Sequence, residues 1–285
     1  MEITYRLVDD VGGSGRALVM SGGLGGTHLV WTALVRALRR DFRIVIWDYP
    51  GLTAGETLDE RVPVDIQSLA SYQAELLDHL GWERAVLVGW SLGTQVAAEL
   101  IRERADRCEA LVAICGVDGR PFVETPNDDP LAASLGLRSS VPGAVSWLSE
   151  RMDRIETLRG MLRRIERPTR WAKRLGLVDP LVDDLVFDAV IRDFIALDPG
   201  VYRRYVEAAA EHDASDLRGR VDRPVLAIAG ERDRMVPPAR VREMAREIPG
   251  ADYLEVRGAT HFLPLEYPDH LVLEIESFLE RHRES

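Results

Sequence analysis

The chain has 285 residues, is 46% hydrophobic and 29% charged, and carries a formal net charge of −11 at pH 7. Such a composition suits a soluble globular protein, and the acidity argues against nucleic acid as a partner. No apolar run approaches the roughly 18 residues that a membrane span needs, so no membrane partner is expected.

The start, Met1-Glu2-Ile3-Thr4-Tyr5-Arg6, lacks the basic and apolar segments of a signal peptide, and a cytoplasmic location is expected. Residues 3–8 suit an edge strand, followed by a Gly/Ser turn over 12–15, and residues 17–20 suit a central strand. That strand opens into Ser21-Gly22-Gly23-Leu24-Gly25-Gly26, too rich in glycine for regular structure. An amphipathic helix is expected over 29–40, a strand over 42–48 and a helix over 65–80. The run 84–88 is apolar and β-branched, as a buried parallel strand should be. Leu92, Val96, Leu100 and Ile101 then recur at helical spacing, and residues 110–115 suit the next strand. The alternation stops near Val117 and resumes near Pro224. Between them the spacing predicts helices over 145–165, 182–195 and 201–211, and no strand. About a hundred residues of helix between two strands of one sheet read as an inserted cap over 118–215, with 1–117 and 216–285 forming the core. A strand over 224–229, a helix over 240–247, a strand over 253–256 and a helix over 269–281 complete an α/β chain. Its expected sheet is mostly parallel and covered by helices on both faces.

Gly89-Trp90-Ser91-Leu92-Gly93 reads G-x-S-x-G and sits where a strand gives way to a helix. Such a turn strains the central residue, needs small neighbours, and presents the hydroxyl beside backbone N–H groups at a helix start. A serine hydroxyl is a weak nucleophile that needs a base. Of six histidines, only His261 follows a predicted strand on the carboxyl side of the sheet; His28, His79, His212, His270 and His282 lie on helices or their ends. The adjacent His212-Asp213 would point apart on a helix. Asp233, in the loop after the strand over 224–229, can hold the imidazole, with Glu231 as the alternative acid. Ser91, Asp233 and His261 all fall beyond carboxyl strand ends, where open α/β sheets carry their sites.

These pieces, with the glycine loop over 21–26 and Glu266-Tyr267-Pro268 after His261, resemble an α/β-hydrolase of the serine-nucleophile branch with a helical cap. The resemblance implies oxyanion-hole N–H groups from Leu92 and from the first glycine loop. There the family usually has His-Gly and this chain has Gly22-Gly23, so the second donor is Leu24 or, failing that, Gly23. The implied activity is hydrolysis of a small to medium carboxylic ester through an acyl-enzyme. Cleavage of a carbon–carbon bond in a diketone-like substrate, perhydrolase activity, and an inert ligand-binding scaffold are the alternatives. An aspartate nucleophile, as dehalogenases and epoxide hydrolases of the family use, is absent.

Trp90, Trp147, Met152, Trp171 and Phe262 are the candidate pocket residues. Arg151, Arg154, Arg159, Arg163, Arg164, Arg167, Arg170, Lys173 and Arg174 form a basic cluster, either a solvated helix face or a rim attracting an anion. Lys173 is the only lysine, which removes any Walker A motif. Cys108 and Cys115 read as buried free thiols. Glu266 and Asp48 read as structural, one capping a helix and the other closing a strand. No cluster has metal-ligand spacing, so neither metal nor organic cofactor is expected, and the partner is a small-molecule substrate.

Overall fold

The computed structural model describes residues 4–9, 14–119, 157, 159–161 and 163–283. Among these, seven strands form one sheet: β1 (Tyr5–Val8), β2 (Arg16–Ser21), β3 (Phe42–Trp47), β4 (Ala85–Trp90), β5 (Cys108–Ile114), β6 (Val225–Gly230) and β7 (Asp252–Val256). Their order is β1-β3-β2-β4-β5-β6-β7. β1 runs antiparallel to β3 at the edge, and every other pairing is parallel. The chain therefore reverses its direction of travel across the sheet between β2 and β4, whose ends meet with Ser21 opposite Gly89. A crevice at that point is where open α/β sheets take ligands.

Both faces of the sheet are buried, which is why β4 reads as an unbroken apolar run. Ala85 and Leu87 join one core, packed with α2 (Ile66–His79), α3 (Leu92–Arg104) and α7 (Pro238–Glu247). Val86, Val88 and Trp90 join the other, with α1 (Thr32–Leu38) and α9 (Pro268–Arg281). Helix starts follow local chemistry. Asp65 caps α2 by accepting from the Ser68 N–H at 2.8 Å. The helix expected over 29–40 is shorter, because Thr27 accepts from the Leu29 N–H and a 3-10 turn over His28–Trp31 precedes α1. A short helix, α8 (Leu263–Glu266), was not anticipated.

Between β5 and β6 lie α4 (Pro168–Arg174), α5 (Asp184–Ala196) and α6 (Pro199–Glu211). The helix expected over 145–165 falls largely outside the described residues. Asp183 caps α5, and Asp198 caps α6 ahead of Pro199. The chain leaves and rejoins the sheet side by side: the buried Asp118 carboxylate meets Arg218 at 2.7 Å, and the Ala214 N–H donates to the Asp118 carbonyl. His212 at the end of α6 is buried against Glu99 of α3 at 2.8 Å, so its role is packing and not pairing with Asp213. The Tyr205 hydroxyl donates to the Pro50 carbonyl, tying α6 to the loop after β3. Among the described residues no helix is long and apolar enough to cross a membrane.

Candidate active site

The elbow after β4 is built from glycine. A Cβ on Gly89 would lie 2.5 Å from the Gly93 carbonyl carbon and oxygen, and one on Gly93 would lie 2.1 Å from the Ser21 carbonyl oxygen. Ser91 itself has φ 55° and ψ −114°, a conformation costing a residue with a side chain about 1–3 kcal/mol. Its N–H donates to the Ile114 carbonyl at 2.9 Å, so the sheet holds the strain in place. Ser91 occupies the N-cap position of α3 yet makes no capping bond with its side chain. The geometry leads to a stability prediction. Gly93→Ala must displace backbone, and overpacking of that kind costs about 3 kcal/mol, equivalent to a fall in Tm of roughly 6–12 °C. Gly219→Ala, where a Cβ meets nothing within 4 Å, leaves Tm nearly unchanged in the same thermal melt.

Ser91 lines a cavity of about 320 Å³ together with Leu92, Leu24, His261, Trp90 and Phe262. The His261 Nδ1 donates to Asp233 Oδ2 at 2.8 Å, with both side chains buried. The other Asp233 oxygen accepts from the Met235 and Val236 N–H groups, each at 2.8 Å. With Nδ1 so engaged, Nε2 is the imidazole nitrogen left to accept a proton. Glu231, the alternative acid, instead accepts from the Gly258 N–H and is exposed. Trp90 donates through Nε1 to the His261 carbonyl at 2.8 Å, and its ring fills the space that Gly23 and Gly26 leave open. A Cβ on Gly23 would sit 3.1 Å from that of Ser91, so the glycine loop lies directly against the elbow.

A second layer fixes the His261 loop. Glu266 accepts from the Thr260 N–H at 2.7 Å, the Thr260 hydroxyl at 2.6 Å and the Asp179 N–H at 2.8 Å. Burial raises its pKa, while those donors oppose the shift. It lies at the end of α8, so its work is to join the His261 loop to the segment before α5 and not to cap a helix. Asp48 meets Arg6 at 2.9 Å, closing β3 against the edge strand. Cys115, at φ 48°, is buried with Sγ 3.7 Å from the Thr260 carbonyl, and burial pushes its thiol well up; Cys108 is pushed up to about 12. Both thiols are free.

The pocket expectations divide. Trp90 and Phe262 line the cavity, whereas Trp147 and Met152 lie outside the described residues. Trp171 is 52% exposed and does not line it, because α4 turns Thr169 and Ala172 inward instead. The aromatic and aliphatic wall comes from α5, through Phe187, Val190, Ile191 and Phe194. Their i, i+3, i+4, i+7 spacing was legible in the sequence as one helix face. Gln95, one turn after Ser91, also lines the cavity and was missed; a polar residue on the apolar stripe of α3 is the signal it carries. Of the basic cluster, Arg159 is buried and donates to the Ile195 carbonyl at 2.7 Å, and Lys173 meets Asp184. Arg151 and Arg154 lie outside the described residues. Among the described residues no group of His, Cys, Asp or Glu could hold a metal ion.

Residues 16–268 match the profile of the alpha/beta hydrolase fold. The chain is 28% identical over 272 residues to a polyketide synthase, ThaQ, of Burkholderia thailandensis, matching 94% of this chain but spanning only 12% of that protein. It is 25% identical to pyrrolizixenacetamide deacetylase of Xenorhabdus hominickii, across 94% of this chain and 92% of the deacetylase. The crystal structure of the enol-lactonase from Burkholderia xenovorans LB400 superposes with a TM-score of 0.76 at 23% identity, covering 98% of this chain and 96% of the other. The chain belongs to the alpha/beta hydrolase fold family.

Proposed function

We propose that the protein is a serine hydrolase of small to medium carboxylic esters, with Ser91 as nucleophile, His261 as general base and acid, and Asp233 orienting the imidazole. One observation carries the reading: an uncapped, strained Ser91 faces the same cavity as a histidine whose Nδ1 is already committed to a buried aspartate. His261 Nε2 takes the Ser91 proton as Oγ attacks the acyl carbonyl. The N–H groups of Leu92 and of Leu24 (or Gly23) receive the oxyanion. His261 then protonates the leaving alcohol and activates the water that frees the acid and restores Ser91. The ester, protein groups and water supply every atom in this cycle.

Residues 118–215 act as the cap in this reading, with α5 and α6 roofing the cavity and setting its length. The deacetylase relative supports hydrolysis at an acyl carbon. A volume of about 320 Å³ lies at the small end of the ~300–1,000 Å³ typical of small-molecule sites. Initial rates on p-nitrophenyl acetate, butyrate, octanoate and palmitate provide the test. The expected optimum is butyrate or octanoate, with palmitate turned over at least about tenfold more slowly, since a chain that outgrows its pocket loses ~1–3 kcal/mol of binding. Absence of turnover on all four esters overturns the simple-ester reading.

A further inference from the structure

Among the described residues, four that line the cavity are exposed and so mark where it opens. Gly176 comes from the segment between α4 and α5, and Arg232, Arg234 and Met235 come from the loop after β6. The two arginines are the permanent charges of the lining; no aspartate or glutamate among the described residues contributes to it. Of the basic cluster over 159–174, no described member lines the cavity. A cationic opening on a chain of net charge −11 runs against the charge of the whole. A protein that repels anions at large needs such a local field to admit one. Arg232 is held at the site by its backbone. Its N–H donates at 2.8 Å to the carbonyl of Ala259, in the His261 loop, and the next residue is Asp233, which orients the imidazole. Its guanidinium forms no hydrogen bond or ion pair among the described residues. The neighbouring Glu231 carboxylate accepts from the Gly258 N–H at 2.8 Å and does not line the cavity.

A guanidinium presents its donors in a planar fork that matches a carboxylate. A carboxylate pushed against Phe187, Val190 and Ile191 would lose its water and gain nothing. At the opening it keeps part of its hydration and meets the arginine. We propose that the preferred substrates are esters carrying a carboxylate at the end that stays at the mouth, with Arg232 as the specificity-determining residue that receives it and Arg234 adding to the field. This deepens the ester reading above and rests on it. The exposed rim sets where the anion sits, not which half of the ester carries it.

The experiment measures Kd by calorimetry on Ser91→Ala protein, which binds without cleaving. The ligands are monomethyl adipate and monomethyl suberate, with the charge on the acyl side, and carboxymethyl hexanoate, with the charge on the alcohol side. Each is set beside the primary amide that keeps its shape and removes its charge. At low ionic strength at least one carboxylate is expected to bind about tenfold more tightly than its amide, the lower end for a hydrogen bond to a charged group at a site open to water. In about 1 M salt, where the screening length falls to ~3 Å, that preference should shrink to within about threefold. In Ser91→Ala/Arg232→Gln it should fall to the same level at low salt. Carboxylates and amides binding equally, a preference that ignores salt, one above about threefold that survives Arg232→Gln, or no binding of any ester each overturns the proposal. The salt series needs no change at Arg232, so it stands even if that variant folds poorly. Wild-type turnover of the same esters is followed in parallel. Turnover that depends on Ser91 but shows no preference for the anion leaves the ester reading standing and removes this one. A binding preference lost in Arg232→Gln, with no turnover of any ester, does the reverse.

Discussion

Ser91→Ala is expected to lower kcat on every ester substrate by at least about 10⁴-fold, since removing the nucleophile leaves only the catalysis that binding and the oxyanion hole supply. Its Tm should change little. Alanine keeps the Cβ and therefore the same backbone strain, and the lost hydroxyl makes no capping bond to α3. Activity and stability thus separate at this position, which distinguishes a nucleophile from a serine needed for the turn. Mass spectrometry after treatment with a fluorophosphonate gives the complementary readout, with a single adduct on wild type at Ser91 and none on the variant. A Ser91→Ala protein that keeps a tenth of the wild-type rate sinks the assignment.

Asp233→Asn is expected to reduce kcat by about 10³–10⁴-fold, through the tautomer of His261 and not through loss of the fold. One Asp233 oxygen accepts two backbone N–H groups, from Met235 and Val236, while the other accepts the His261 Nδ1 proton. In the asparagine variant the backbone donors retain the amide oxygen, which turns the NH₂ toward Nδ1. The imidazole must then accept at Nδ1 and carry its proton on Nε2, the nitrogen that has to receive the Ser91 proton. Steady-state kinetics should show the loss in kcat with a smaller change in KM, since Asp233 is not on the cavity wall. Ser91→Ala/Asp233→Asn should be no slower than Ser91→Ala alone, because groups that act as one unit do not contribute additively. Losses that multiply would overturn the shared role.

Much of this was readable from contiguous residues. The alternation of strand and helix, the strand–turn–helix over 85–104 and the loops carrying Asp233 and His261 all follow from period, turn chemistry and apolar runs. Residue type alone does not say which face of a helix turns inward or which remote group a carboxylate meets. Trp171, expected in the pocket, faces solvent on α4, while the regularly spaced Phe187, Val190, Ile191 and Phe194 of α5 build the wall. Glu266 reads as a helix cap in the sequence, but α8 ends at it. Its three donors come from Thr260 and from Asp179, 87 positions away in the chain, which no local pattern reveals.

By itself the sequence determined the fold class, the strained turn at Ser91 and the chain order of the candidate triad, because each depends on interactions within a few residues: backbone sterics at glycine, hydrophobic period and the loop after each strand. The tertiary structure decided which partner each polar group received and which helix faces closed the cavity. Asp233, not Glu231, meets His261, and Gln95 is left with an unpaired oxygen only because Gly119 and Ala209 occupy its nitrogen. Those outcomes depend on groups that are remote in sequence and are brought together by packing of the two helical layers on the sheet.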